Sequence, residues 1–298
     1  MQRSGTVRVG QVELAYEAFG DEGGRPLLLV MGLGTQMLAW HEDLCRELVG
    51  RGFFVVRFDN RDIGLSTHLH DAPPPDVMAA FGGDTSSASY TLEDMADDTV
   101  GLLDGLGLTG PVHVVGASMG GMIAQTLAIR HPARVASLTS IMSTTDPRTG
   151  PPTQAGLAAL LAPPATTRDE AVARALATYR VIGSPGYPLD EQWLSGIAGQ
   201  AYDRGHDPLG VARQLMAIHA SGDRTPALRE LDVPTLVVHG ADDQLVQVEG
   251  GRATAAAVPG AELLVVPGMG HNLPRELWPQ LLDAITALAD RSEDGRAA

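Results

Sequence analysis

With 298 residues, the chain is long enough for one large domain or two smaller ones around a substantial buried core. Its 44% apolar and 19% charged residues exclude the disordered and fibrous classes. A formal charge of −15, with Arg throughout and no Lys, argues against nucleic acid and anionic membranes as partners and reads as a solubilising surface.

The opening residues, Met1-Gln2-Arg3-Ser4, lack the apolar run of a signal peptide. No later run reaches the length of a membrane span, so a soluble cytoplasmic protein is expected. Residues 12–19 read as an antiparallel strand and 26–31 as a strand buried on both faces. A helix is predicted over 37–48, stopped by Gly50-Arg51-Gly52. It carries Cys45, the one cysteine, which allows no internal disulfide or thiolate cluster and reads as a packed thiol. Residues 53–59 form the next buried strand. Thr91 caps a helix whose Leu92, Met95, Leu102, Leu103 and Leu106 recur at roughly helical spacing. Strands at 112–116 and 135–142 flank a helix over 119–130 that ends at His131-Pro132.

From 144 to 230 this alternation breaks. Proline and glycine clusters separate three helical stretches, 168–180, 190–202 and 209–219, which together read as a helical lid over the C-terminal strand edge. Strands at 235–240 and 263–267 follow, then a final helix from about residue 274. Short apolar runs alternating with helical segments point to a mostly parallel sheet covered by helices.

Gly116-Ala117-Ser118-Met119-Gly120 has the form G-x-S-x-G, weak alone but here set between a strand and a helix. In that setting Ser118 takes a strained turn with positive φ, and side chains two residues to either side would collide across it. The turn would lift the hydroxyl to the sheet edge at a helix N-terminus, where developing negative charge is favoured.

A serine hydroxyl needs a base within hydrogen-bond reach. Of nine histidines, His113 and His239 fall within strands, His131 ends a helix, and His41, His206 and His219 read as ordinary surface or core. His68 and His70 form an H-x-H pair without an evident third ligand, so no metal is expected there. His271 lies in the glycine loop Gly268-Met269-Gly270-His271 after a strand, where a base can lean over the turn. The orienting acid is sought between nucleophile and base in the chain. Asp243, fourth residue of the turn that opens at Gly240, is preferred, with Asp242 as the alternative. The backbone amides of Leu33 and Met119 are the expected oxyanion donors.

Five segments in order resemble the α/β-hydrolase superfamily across essentially the whole chain. They are Met31-Gly32-Leu33-Gly34, Asp59-Asn60-Arg61-Asp62-Ile63-Gly64-Leu65-Ser66, the Ser118 turn, the Gly240 turn and Gly268-Met269-Gly270-His271. More narrowly, Leu29-Val30-Met31-Gly32 and the Asp59 to Ser66 segment resemble bacterial esterases of the aclacinomycin methylesterase type. Many members carry His-Gly where this chain has Met31-Gly32, a departure that leaves the backbone donor in place. The resemblance implies an α/β-hydrolase fold, with a core from 1–143 and 231–298 and a helical cap from 144–230. It implies a structural role for the Asp59 to Ser66 segment, with Arg61 and Asp62 fixing the loop. Ser118 argues against haloalkane dehalogenases and epoxide hydrolases, which place Asp at that position.

The expected activity is hydrolysis of a medium-to-large apolar carboxylic ester, a small-molecule substrate, with no cofactor. Met37, Trp40, Tyr179 and Trp193 are the expected pocket residues, with Leu194, Tyr202 and Met216 as further apolar contributors. C–C bond hydrolases, lactonases and perhydrolases use the same triad. A ligand-binding receptor on the same scaffold is the alternative of another class.

Overall fold

The computed structural model describes residues 2–297. In chain order its strands are β1 (Gln2–Val9), β2 (Val12–Phe19), β3 (Arg25–Val30), β4 (Phe53–Phe58), β5 (Val112–Ala117), β6 (Val135–Ile141), β7 (Thr235–Gly240) and β8 (Glu262–Val266). They form one eight-stranded sheet in the order β1-β2-β4-β3-β5-β6-β7-β8. Only β1 and β2 are antiparallel to their neighbours; β4 through β8 pair in parallel. The central strands β4, β5, β6 and β7 are buried along their whole length, which is why they read as mostly apolar runs without polar alternation. By contrast, β1 is an edge strand whose residues are mostly exposed, so it carried no apolar signal and was not expected from the sequence. Its pairing with β2 and a turn at Gly10, with φ of 57°, make it a strand.

Helices cover both faces. α3 (Leu92–Gly105), α4 (Met119–Arg130) and α10 (Val248–Ala257) flank one side, and the first two bury Leu92, Met95, Leu102, Leu103, Ile123 and Leu127 in one core. On the other side α1 (Glu42–Gly50) and α11 (Trp278–Ala297) pack Leu44, Leu48, Leu281, Leu282 and Ile285 against the second core. Cys45 lies there fully buried, and burial pushes its thiol up to about 12, so it is a packing residue. The predicted helix over 37–48 is two pieces. A 3₁₀ turn at Met37–Ala39, whose first N–H donates to Asp59 Oδ1 at 2.8 Å, ends at Trp40, where the backbone turns extended and the carbonyl accepts from Arg57, and His41 Nδ1 caps α1 by accepting from Asp43 N–H.

Between β6 and β7 lies a block of helices: α5 (Gln154–Leu160), α6 (Arg168–Ile182), α7 (Glu191–Arg204), α8 (Pro208–Ala220) and α9 (Thr225–Leu228). The sequence predicts α6, α7 and α8; α5 and α9 are too short to show a period, as is α2 (Val77–Phe81), which lies between β4 and α3. This block sits on the segment after β4. Arg213 forms a two-pronged, fully buried pair with Asp62, both bonds 2.8 Å, and Arg204 donates to Asp59 at 2.9 Å. Among the described residues no helix is long and apolar enough to cross a membrane.

The chain leaves β3 toward β4 on one side and returns to β5 on the other. That reversal opens a crevice at the C-terminal ends of β3 and β5, the place where open α/β sheets bind ligands.

Candidate active site

The crevice holds the G-x-S-x-G turn. Ser118 has φ of 57°, a left-handed conformation that an L residue adopts at a cost of about 1–3 kcal/mol unless its surroundings enforce it. They do: its N–H donates to Ile141 O of β6 at 2.9 Å, while its carbonyl accepts from Gly121 N–H at 2.9 Å. The flanking glycines are steric requirements. A Cβ on Gly116 would lie 2.1 Å from the Gly120 carbonyl oxygen, and one on Gly120 would lie 2.1 Å from Val30 O.

His271 Nε2 is 3.0 Å from Ser118 Oγ, and its Nδ1 is 2.7 Å from Asp243 Oδ2. A carboxylate only accepts, so Nδ1 carries the proton and Nε2 is free to take one from the hydroxyl. Asp243 is fully buried at its side chain, and its other oxygen accepts from Leu245 and Val246 N–H at 2.8 and 2.9 Å. His239 braces that turn by donating from Nε2 to Val246 O at 2.7 Å, and burial pushes its basicity down. The alternative acid, Asp242, points elsewhere: its carboxylate accepts from Gly268 N–H at 2.8 Å, on the exposed side. His271 itself is set by its own N–H, which donates to Ile182 O at the end of α6 at 2.7 Å.

Gly32 meets this turn directly, since a Cβ there would lie 3.0 Å from Ser118 Cβ. Met119 directly follows Ser118 at the first position of α4, where helical amides have no partner in their own helix, and Leu33 follows Gly32 in the chain. Asn60 Nδ2 donates to Met31 O at 3.0 Å and steadies the end of β3. Gln214, fully buried on α8, accepts from Gly34 N–H at 2.9 Å and donates to Arg61 O at 2.8 Å, tying the Gly32 loop to the helical block. Neither Gln214 nor Arg213 was singled out in the sequence; both sit on the helical face that faces the core, where a buried polar pair looks like an ordinary interruption.

A cavity of about 910 Å³ opens from Ser118 beneath the helical block. Trp40, Tyr179, Trp193, Leu194 and Tyr202 line it. Met37 does not, a correction to the expectation: Gln36 and Ala39, three apart on a 3₁₀ turn, share the cavity side and send Met37 into buried surroundings. Met216 is likewise turned inward, fully buried, while Val211, Leu215 and Ile218 on the same helix line the cavity. Three histidines taken as ordinary, His41, His206 and His219, line it too, with His41 stacked 5.3 Å from Trp193. His68 is half-buried, with Nδ1 2.9 Å from Asp207 and Nε2 3.0 Å from Gly64 O, so Asp207 is the nearby third group the sequence did not reveal. Arg213 also reaches Asp207 at 3.3 Å, and the group latches the loop to the start of α8.

Comparison with known proteins identifies the fold. The model of the alpha/beta hydrolase fold matches residues 25–274. A rhodomycin D methylesterase from Streptomyces peucetius is 27% identical, over 93% of this chain and 95% of its own. A non-heme chloroperoxidase from Kitasatospora aureofaciens is also 27% identical, over 90% of this chain and 91% of its own. Among solved structures, the enol-lactonase from Burkholderia xenovorans LB400 superimposes with a TM-score of 0.71 at 23% identity, covering 95% of this chain and 99% of that one. With the strand order, the reversal at β3 and β5 and a family match over most of the chain in hand, the protein belongs to the alpha/beta hydrolase fold family.

Proposed function

We propose that the protein is a serine carboxylic-ester hydrolase acting on medium-to-large apolar esters. The observation that carries this reading is the 3.0 Å approach of Ser118 Oγ to a His271 whose other nitrogen is held by Asp243. Ser118 attacks the ester carbonyl as His271 takes its proton, and the imidazolium so formed is stabilised by Asp243. Leu33 and Met119 N–H donate to the oxyanion of the tetrahedral intermediate. His271 then passes its proton to the leaving alcohol, and water, activated by the same base, releases the acid from the acyl-enzyme. No step calls for a metal or organic cofactor. Residues 144–230 act as a cap that covers the acyl or alcohol portion, and the volume of the cavity favours a large substrate. The similarity to the rhodomycin D methylesterase supports an ester as the group cleaved.

The similarity to a non-heme chloroperoxidase favours one second reading, perhydrolysis, in which hydrogen peroxide replaces water at deacylation. A peracid assay beside the ester assay separates the two. The first test is a fluorophosphonate probe on the folded protein, with the labelled peptide identified by mass spectrometry. Ser118 is the expected site, and Ser118→Ala should lose about a thousandfold or more in kcat on an activated ester while the fold is kept. Label on another residue, or activity largely retained in the Ala variant, ends the assignment.

A further inference from the structure

The cap helix α6 turns one stripe to the cavity: Ala171, Arg174, Ala175, Thr178 and Ile182, spaced as a helix face requires. Arg174 is out of place in that stripe. A helix of this kind ordinarily sends its guanidinium groups outward, and a cation turned inward costs desolvation unless a partner repays it. Among the described residues Arg174 has no hydrogen bond and no ion pair. The residue best placed to supply one, Glu170 a turn earlier, is committed instead to the N–H and hydroxyl of Thr166, at 2.8 and 2.7 Å. Other charged groups at the cavity wall are engaged or open to water. Asp190 caps α7, Asp207 is held by Arg213 and His68, Arg275 pairs with Asp43, and Glu276 is exposed. Arg174 is half-buried, and burial is the one cause that pulls its basicity down. The two alanines beside it leave the guanidinium room.

We propose that Arg174 forms a carboxylate subsite in the cap, so that the ester taken by this cavity carries a carboxylate remote from the bond cleaved. The planar fork of Arg matches a carboxylate with two parallel N–H donors, and in a mostly apolar cavity such a pair is strong. The position sets the spacing. Ile182, whose carbonyl holds His271, lies eight residues along α6, and at 1.5 Å per residue Arg174 stands roughly 12 Å from that end. The substrate is therefore an elongated half-ester, neutral where it is cleaved and anionic at its far end. The subsite rests on the hydrolase reading only for which bond is cut.

The test uses two matched esters, p-nitrophenyl hydrogen sebacate and its neutral counterpart, p-nitrophenyl methyl sebacate. The wild-type protein should prefer the anionic ester in kcat/KM. In Arg174→Met that preference should fall by about tenfold or more, with Arg174→Lys restoring part of it. Arg174→Gln replaces the Met variant if thermal melting shows it to be misfolded. In parallel, calorimetry on Ser118→Ala compares binding of monomethyl and dimethyl sebacate, with and without Arg174→Met. If neither ester is cleaved yet the monoester binds more tightly through Arg174, the hydrolase reading falls and the subsite stands. An anionic-to-neutral ratio that is the same in wild type and Arg174→Met, in turnover and in binding, overturns the subsite.

Discussion

Three residues other than glycine take positive φ among the described residues: Asp62, Ser118 and Met142. Each follows a strand, β4, β5 or β6, at the end that opens on the crevice. Each is held by a donor bond from its own N–H: Asp62 to Thr67 O at 2.9 Å, Ser118 to Ile141 O at 2.9 Å and Met142 to Val238 O at 2.8 Å. For Ser118 and Met142 the acceptor belongs to the neighbouring strand, so sheet pairing itself supplies the force that keeps the residue strained. The acid at the site also separates at this scale. Asp243 and Asp242 are adjacent, yet only the first lies against His271. Asp243→Asn keeps the shape, but its amide oxygen stays with the Leu245 and Val246 N–H groups, so its NH2 donates to His271 Nδ1 and leaves the proton on Nε2, where the base must be free. It should lower kcat about 10⁴-fold, whereas Asp242→Asn should cost less than about tenfold. Steady-state kinetics on one activated ester decides between them, and a larger loss in Asp242→Asn than in Asp243→Asn would make Asp242 the partner.

At the scale of elements, the strand–turn–helix from β5 to α4 works as one unit. Because a Cβ on Gly116 would meet backbone rather than a yielding side chain, Gly116→Ala must open the turn and move Ser118 off its line to His271. The expected result is near-complete loss of esterase activity, with stability lowered by roughly 1–3 kcal/mol as at an overpacked site and read as a lower thermal midpoint. A variant with wild-type turnover would mean that the turn tolerates both conformations. This unit was legible because each part of it is local: an apolar run, two glycines around a serine and a helical period. The helix over 37–48 was misjudged for the opposite reason. Its apolar spacing continues through Trp40, but Arg57 of β4 takes the Trp40 carbonyl, the backbone there turns extended, and the helical turn stops. An edge strand such as β1, exposed along most of its length, has no periodic signal to read at all.

At the scale of the whole molecule, the helical block and the sheet are joined by buried polar contacts rather than by apolar surface alone. Asp62 and Arg213 are 151 residues apart in the chain and fully buried where they meet. Removing one member leaves a charge in the interior, so Arg213→Leu should destabilise the protein by about 3–5 kcal/mol. Urea unfolding measures this, with Ser118→Ala as the reference of unchanged stability. A loss below about 1 kcal/mol would mean that the pair is as weak as an exposed one. Since Gln214 on the same helix holds the Gly34 amide, the variant should also loosen the loop that carries Leu33.

The amino-acid sequence by itself determined the alternation of buried strands and helices, the strained turn at Ser118 and the glycine loop of His271, because backbone sterics and hydrophobic period act between residues near in the chain. It left two acids open at the Gly240 turn, and it offered no means of telling an inward Arg174 from an outward one. Only the tertiary structure decided those points, together with the seat of the helical block on Asp59 and Asp62. They depend on which side chains meet across the molecule, where burial makes each missing or surplus charge costly and so selects a single arrangement.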